Sequence, residues 1–248
     1  MSLGRIVAVS RKEVRDLRRN RFVISTTALL PIAFLVAPMI TLFRVPNAAS
    51  GPRVAHAAGV TSLLFLIVPV SIPPVIAAYS VVGERVQGTL EPFLTTPVRR
   101  DELLLGKAVA AFVPSVGIAY GVYLLAAVAI RFGAAHAVSS AVWHAPQMLA
   151  QILFTPLLAA WSIWVGIGIS ARSSDVRAAQ QLTTLAGLPL LGVTSLVSFG
   201  VVTPSVPIAI SVALVLLLAD VAAWRVVSRM FDRERLVVGA PGGISGRT

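Results

Sequence analysis

The sequence has no cysteine and few acidic residues. Ten Asp and Glu stand against 21 Lys and Arg in 248 residues, which gives a net charge of +11 with only 12% of the chain charged. Without cysteine the chain has neither disulfides nor thiolate metal ligands. Soluble domains carry about 25% charged residues, so the composition argues against one.

Apolar residues are abundant, at 56% of the chain, and the mean hydropathy is +0.86. A helix needs roughly 20 apolar residues to cross the hydrocarbon core of a bilayer. We therefore predict an all-α polytopic membrane protein with a membrane domain over 22–227 between an N-terminal segment 1–21 and a C-terminal tail 228–248. Its six spans are predicted at 22–43, 59–82, 103–130, 148–171, 182–202 and 206–227. Only turn residues separate the last two spans, so a re-entrant excursion there is an alternative.

The basic residues predict the orientation of these spans. Eighteen of the 21 Lys and Arg fall on one side if both termini are cytoplasmic, and the other side keeps only Arg44, Arg53 and Arg131. This asymmetry follows the positive-inside rule and favours an even number of crossings. Because the basic residues lie at the ends of apolar runs, they indicate contact with lipid headgroups and not with nucleic acid.

Two terminal features bear on processing and order. Ala55–Ala57 resembles a signal-peptidase site, but the preceding apolar run is longer than the 7–15 residues of a signal peptide. We therefore predict that the first span is retained. The Gly-rich stretch 239–248 is typical of a disordered tail.

The segment 1–21 has the pattern of a basic amphipathic helix. Its apolar positions recur at helical spacing, at Leu3, Ile6, Val7, Ser10, Val14 and Leu17. We predict that this helix lies in the inner headgroup layer and that the chain turns into the membrane near Asn20 and Arg21. The residues predicted at the membrane interface are Ile6, Arg11, Lys12, Arg15, Leu17 and Arg18. The alternative is that the segment serves only as an orientation signal.

Residues 83–107 are too polar to span a membrane. Within them Leu90, Phe93 and Leu94 form an apolar face on a short helix that is predicted to begin near Gly88. Charged residues surround this face, at Glu84, Arg85, Glu91, Arg99 and Arg100. An apolar knob in a charged ring is typical of a docking surface for a soluble partner, and the alternative is a helix that rests on the bilayer.

The next helix has its own start signals. Thr96 offers an N-cap and Pro97 a first-turn proline. Asp101 and Glu102 would then lie in the first turns of the helix, where its dipole favours negative charge. We therefore predict a short cytoplasmic helix between the second and third spans, within a loop over 83–102.

This loop resembles the signature loop of the type-2 ATP-binding-cassette (ABC) permeases of the bacterial exporter class. The resemblance rests on Glu84-Arg85, Gly88-Thr89-Leu90-Glu91, Phe93-Leu94, Thr96-Pro97-Val98, Arg100, Glu102-Leu103 and Gly106-Lys107. The basic start, the six spans and the closing segment 230–235 are also similar to that family. Val86 and Pro92 depart from the pattern of the loop.

The resemblance implies a permease of a prokaryotic plasma membrane that works in export. It would pair with a second permease copy or a paralogue and couple to separate ATPase subunits, which hold the ATP and Mg. The helix over 88–95 would insert into a cleft of each ATPase, and spans 1, 2 and 5 would line the path. The implied ATPase-coupling residues are Glu84, Arg85, Gly88, Thr89, Leu90, Glu91, Phe93, Leu94, Arg99, Arg100 and Glu102.

No sequence motif points to catalysis by this chain. Gly106-Lys107 is followed by Ala108 and lacks the rest of a phosphate-binding loop. The sequence also contains no Gly-x-Ser-x-Gly and no His-Glu-x-x-His motif. His56, His136 and His144 are predicted on outer loops away from carboxylates. We therefore predict no catalytic, cofactor or metal site in the chain.

An ATP-independent secondary transporter or channel is the alternative function. Such a protein needs ionisable groups within the membrane, and Asp220 is the one acidic candidate in the predicted spans. Because Asp220 lies near the cytoplasmic end of the last span, we expect it to pair with Arg225 or to reach the interface.

Overall fold

A computed structural model of the chain describes residues 2–46, 49, 51–79, 100–198 and 205–230. The described residues form eight helices and contain no strand. The helices are α1 (Leu3–Arg19), α2 (Arg21–Phe43), α3 (Gly51–Ala78), α4 (Arg100–Gly133), α5 (His136–Val142), α6 (Ala145–Arg172), α7 (Val176–Ser198) and α8 (Val206–Met230). The all-α prediction is confirmed for this part of the chain.

Five of these helices, α2, α3, α4, α6 and α8, are long and apolar enough to cross a membrane. The remaining long helix, α7, has 23 residues and would extend about 35 Å. It is less apolar than the others because its first turns carry Gln180, Gln181, Thr183 and Thr184. Five candidate spans are therefore present, and a sixth crossing by α7 stays a prediction.

Helix α7 packs beside the candidate spans. Near its start, Ala179 packs against Ala78 of α3. At its middle, the carbonyl of Ala186 accepts a hydrogen bond from the indole nitrogen of Trp161 in α6, at 3.0 Å. Leu191 belongs to an apolar cluster with residues of α3 and α6. From Ala179 to Leu191 the helix covers about 18 Å, so it runs alongside α3 and α6.

Helix α3 is the centre of the fold and the most buried of the five candidate spans. Toward its middle, Leu66 joins a cluster with Phe154 of α6 and Leu216 of α8. Toward its end, Ile72 joins a second cluster that includes Leu104 of α4. By contrast, α2 and α8 bury the smallest shares of their apolar length.

The helix boundaries correct the predicted outer loops. Helix α3 begins at Gly51 and not near 59. Pro52 favours a start here, because the first backbone N–H groups of a helix have no intrahelical partner and proline has no N–H. Arg53 and His56 consequently lie within α3. His136 is the first residue of α5, a helix that the sequence did not predict, and His144 immediately precedes α6.

The predicted break between the first two helices is confirmed. Helix α1 ends at Arg19 and α2 begins at Arg21. Asn20 between them has an extended backbone, and its side-chain oxygen accepts a hydrogen bond from the backbone N–H of Val23 at 3.3 Å. An asparagine in this position caps the new helix by satisfying one of its free N–H groups.

Candidate functional site

The contact between α1 and the first turns of α4 contains a buried ion pair. Lys107 Nζ donates a hydrogen bond to Glu13 Oε1 at 2.8 Å. Lys107 is 2% exposed and Glu13 is 7% exposed. A charge removed from water to this degree is stable only when its partner is in place. The pair therefore makes the position of α1 on α4 specific.

A second polar contact lies one turn nearer the start of α4. The backbone N–H of Ser2 donates to Glu102 Oε1 at 2.7 Å, and Arg5 Nη1 lies 3.5 Å from Glu102 Oε2. Glu102 is 1% exposed. Its carboxylate thus accepts hydrogen bonds from the free N-terminal end of α1, where the helix dipole also favours negative charge.

Between the two polar contacts, the backbones of α1 and α4 approach each other closely. A Cβ atom at Gly106 would lie 2.5 Å from Val9 Cγ1 and 3.2 Å from the carbonyl oxygen of Ile6. Only glycine leaves room for α1 at this distance. Glu102, Gly106 and Lys107 recur at helical spacing and form one face of α4. We call these residues, together with Ser2 and with Arg5, Val9 and Glu13 of α1, the α1–α4 clamp.

The end of α3 is also fixed. Ser170 of α6 is fully buried, and its hydroxyl donates to the carbonyl of Ala78 at 3.0 Å. This carbonyl belongs to the last turn of α3, where intrahelical partners are missing. A Cβ atom at Gly166 would lie 2.7 Å from Cβ of Ala77, so α6 approaches the same turn closely. The two helices that flank the predicted coupling loop are therefore both anchored.

The predicted coupling residues fall mostly outside the described part of the chain. Glu84, Arg85, Gly88, Thr89, Leu90, Glu91, Phe93, Leu94 and Arg99 belong to this group, as do Thr96 and Pro97. Arg100 is the first residue of α4, and Asp101 and Glu102 lie in its first turn as predicted. Glu102 is buried under α1 instead of facing outward. Its role in coupling stays a prediction.

The predicted apolar stripe of α1 divides between two surroundings. Leu17 packs against the cluster that contains Val9 and Leu104. Leu3 and Val7 stay 79% and 55% exposed. One part of the stripe therefore packs against the rest of the protein, and the other part remains an exposed apolar strip on α1.

The basic residues predicted at the membrane interface are mostly outward-facing. Arg11, Arg15 and Arg18 are exposed. Lys12 is partly exposed and lies 3.6 Å from Glu13 Oε1 and 3.4 Å from Asp16 Oδ2. Contact of these residues with lipid stays a prediction.

Sequence reasoning missed Val9 and Glu13. Val9 lies outside the predicted stripe because, at about 100° per residue, it points roughly 120–160° around the helix axis from Leu3 and Val7. Glu13 had a signal, as an acidic residue within a basic helix, but its partner is 94 residues away in the chain. Lys107 was interpreted only as a charge of the cytoplasmic side. Its position within an apolar stretch was the sign that it needs a buried partner.

Asp220 does not pair as the sequence led us to expect. It is 6% exposed, and neither carboxylate oxygen has a hydrogen-bond partner among the described residues. Arg225 lies five residues further along α8 and is exposed, so it projects from another face of the helix. Also within the described ranges, no group of three His, Cys, Asp or Glu residues could hold a metal ion.

Comparison with known families gives a match over most of the chain. The family described as ABC-2 family transporter protein matches residues 7–230, a range that runs from α1 to the end of α8. The match therefore covers much more than half of the chain. No curated protein matches the sequence.

Proposed function

From the premise that this chain belongs to the ABC-2 family of transporter proteins, we propose that it is the membrane-spanning permease subunit of an ATP-driven exporter. The family match and the apolar helices make it a multi-pass membrane protein and an ABC transporter component. Membrane components of this family are not catalytic themselves. In the proposal, ATP and Mg are held by a separate ATPase subunit, and a second permease copy or a paralogue completes the transport path.

The observation that carries the proposal is the anchoring of the two helices that flank residues 80–99. The end of α3 is held through Ala78 and Ser170, and the start of α4 is held through the α1–α4 clamp. When both flanking helices are held in place by other contacts, a force applied to the segment between them is transmitted to both helices. An ATPase bound to this segment would therefore move α3, α4 and α1 together.

The α1–α4 clamp supports a specific route for this movement. Glu102 and Lys107 lie in the first two turns of α4, directly after the predicted docking helix. Through Arg5 and Glu13 they connect α4 to α1, and α1 continues into α2 after one residue. Movement of the docking segment would thus reach the first span as well as the spans on either side of the segment. In the proposed orientation both termini are cytoplasmic, and the clamp lies on the cytoplasmic side.

A pull-down tests the assignment of the partner. The affinity-tagged full chain is recovered from native membranes in mild detergent, and the recovered material is labelled with a photoreactive ATP analogue. We expect a second, ATP-labelled chain to be recovered together with the permease. A tagged membrane protein of similar size and unrelated family serves as the control. Recovery of the permease without any specific ATP-binding chain contradicts the proposal.

Asp220 is the observation that favours the alternative, an ATP-independent transporter. A buried carboxylate without a hydrogen-bond partner among the described residues is what an ion-coupled carrier would place in its membrane domain. The two functions differ in their energy source. Transport by the reconstituted complex that requires ATP and persists without an ion gradient supports the ABC exporter, and the reverse pattern supports the alternative.

A further inference from the structure

A groove of about 430 Å³ runs between the first four helices. Its wall includes Val14 and Leu17 from α1, Ile24 and Pro31 from α2, Ile76 from α3 and Ile118 from α4. Arg18 and Thr27 are the polar residues among the described part of the lining. Ile24 is 47% exposed, so the groove opens to the surroundings of α2, a helix apolar enough to lie in a bilayer.

A basic cleft of about 570 Å³ adjoins this groove along α1. Its lining contains Arg11, Arg15, Arg18 and Arg19. None of these four side chains forms an ion pair with another described residue. Val14 and Arg18 line both depressions. At Arg18, the apolar groove therefore meets a row of arginines that form no ion pair with the described residues.

We infer that this composite surface is a binding site for one anionic phospholipid, with an acyl chain in the groove and the phosphate against Arg18. Guanidinium groups bind phosphate with two parallel hydrogen bonds, and the apolar wall suits a hydrocarbon chain. The site differs from general adsorption of α1 to a bilayer, because α2, α3 and α4 supply most of the groove. It needs a membrane location only and does not rest on the proposed export function.

Charge favours a lipid over a second copy of the chain as the occupant. A second copy also carries a net charge of +11, so an approach to the arginine row would bring like charges together. An anionic headgroup instead neutralises the row. A basic residue near a membrane surface contributes about 1 kcal/mol of attraction to anionic lipid, which corresponds to a preference of about fivefold over a zwitterionic lipid.

Fluorescence quenching by brominated lipids tests this site. The full chain has no cysteine, so Ile24→Cys provides a unique labelling position on the groove. The labelled protein is reconstituted into phosphatidylcholine vesicles that contain a minor fraction of either brominated phosphatidylglycerol or brominated phosphatidylcholine. We expect the anionic lipid to quench the Ile24 probe with about fivefold preference. A probe at Leu214→Cys, exposed on α8, should show no preference.

Two arginine substitutions separate the site from surface charge. Arg18→Gln should abolish the preference at Ile24, whereas Arg229→Gln, which removes the same charge from the exposed end of α8, should preserve it. Arg18→Lys keeps the charge without the bidentate geometry and should give an intermediate preference. Unchanged quenching of the Leu214 probe by phosphatidylcholine verifies that each variant is folded and inserted.

Three results would overturn the inference. Equal quenching of the Ile24 probe by both lipids would show that the groove does not select a headgroup. A preference that survives Arg18→Gln would show attraction by the whole basic surface. Absence of quenching by either lipid at Ile24, with normal quenching at Leu214, would show that protein, such as a second copy, covers the groove.

Discussion

Lys107 Nζ of α4 lies 2.8 Å from Glu13 Oε1 of α1, and both side chains are buried between the two helices. The contact connects the N-terminal helix to α4 within two turns of its start at Arg100. A helix that only floats in the headgroup layer needs no such pair. We conclude that α1 is a packed part of the membrane domain as well as a helix with an exposed basic face.

Removing one member of this pair should destabilise the protein strongly. Glu13→Gln or Lys107→Met removes one charge of the buried pair and leaves the opposite charge uncompensated by it, and the expected loss is about 3–5 kcal/mol of unfolding free energy. The double variant should lose much less than the sum of the single variants. Thermal unfolding in detergent measures these changes. Lys12→Gln, which alters a partly exposed neighbour, is the control and should change the stability by less than about 1 kcal/mol.

Gly106 should tolerate no side chain while α1 is in place. A Cβ atom there would lie 2.5 Å from Val9 Cγ1 and 2.6 Å from Val9 Cβ. Gly106→Ala should therefore cost about 1–3 kcal/mol through overpacking. Because the Cβ of Val9 also clashes, Val9→Ala should not restore stability, whereas Val9→Gly should restore it partly.

Gly117 provides the matched control in the same helix. A Cβ atom at Gly117 meets no atom within 4 Å, so Gly117→Ala should be neutral or slightly stabilising through helix propensity. If Gly106→Ala is as stable as Gly117→Ala, the close packing of α1 on α4 is contradicted.

Two buried carboxylates should respond oppositely to amidation. Glu102 has charge-assisted partners in Ser2 and Arg5, so Glu102→Gln should cost about 1 kcal/mol or more. Asp220 lacks a hydrogen-bond partner among the described residues, so Asp220→Asn should leave the melting temperature unchanged or raise it. A fall in melting temperature for Asp220→Asn equal to that for Glu102→Gln would show that Asp220 has a stabilising partner.

The sequence predicted those features of the fold that depend on local composition. Apolar runs of roughly 20 residues predicted the candidate spans, and Asn20 followed by Arg21 predicted the break after α1. Helix α7 is harder to classify because Thr183 faces Gly166 of α6. A polar residue that packs against another helix lowers the hydropathy of its own segment. A low hydropathy therefore does not show whether that segment crosses the membrane.

The α1–α4 clamp could not be predicted from the sequence, for a physical reason. Periodicity identifies an amphipathic helix but does not tell which of its faces contacts protein and which contacts lipid. The roles of Val9 and Glu13 are evident only once the structure shows that they lie opposite the face of α4 that carries Gly106 and Lys107. The opposite holds for the predicted coupling residues. Their sequence pattern is specific, but most of them lie outside the described ranges.

The crossing of α7 can be tested by cysteine labelling, because the chain has no cysteine of its own. Ser140 in α5 and Ser174 before α7 are both exposed, whereas the adjacent Ser139 is buried and unsuitable. In sealed cells an impermeant maleimide should label Ser140→Cys and not Ser174→Cys. Ser205→Cys, just before α8, should be labelled from outside if α7 crosses. Protection of Ser205→Cys in intact cells, with labelling after lysis, would make α7 re-entrant.

The final prediction concerns Phe93, which the sequence places at the centre of the docking helix with Leu90 and Leu94. Removing a buried aromatic anchor from a protein interface costs about 2 kcal/mol or more, or roughly thirtyfold in affinity. Phe93→Ala should therefore reduce recovery of the ATPase with the tagged permease and lower transport per ATP hydrolysed. Helix insertion and thermal stability of the isolated permease should not change, since residues 80–99 lie between helices that other contacts anchor.

Substitution of the charged ring gives the matched comparison. Glu91→Lys alters a rim position and should change the rate and salt dependence of association more than the lifetime of the complex. Glu13→Gln should act differently from both, because it loosens the α1–α4 clamp without touching the docking face: the ATPase should still be recovered, but less transport should accompany each ATP hydrolysed. Binding kinetics of the purified ATPase on immobilised permease distinguish the three variants. Equal ATPase recovery and equal coupled transport for wild type and Phe93→Ala would mean that the helix over 88–95 rests on the bilayer and that the ATPase docks elsewhere.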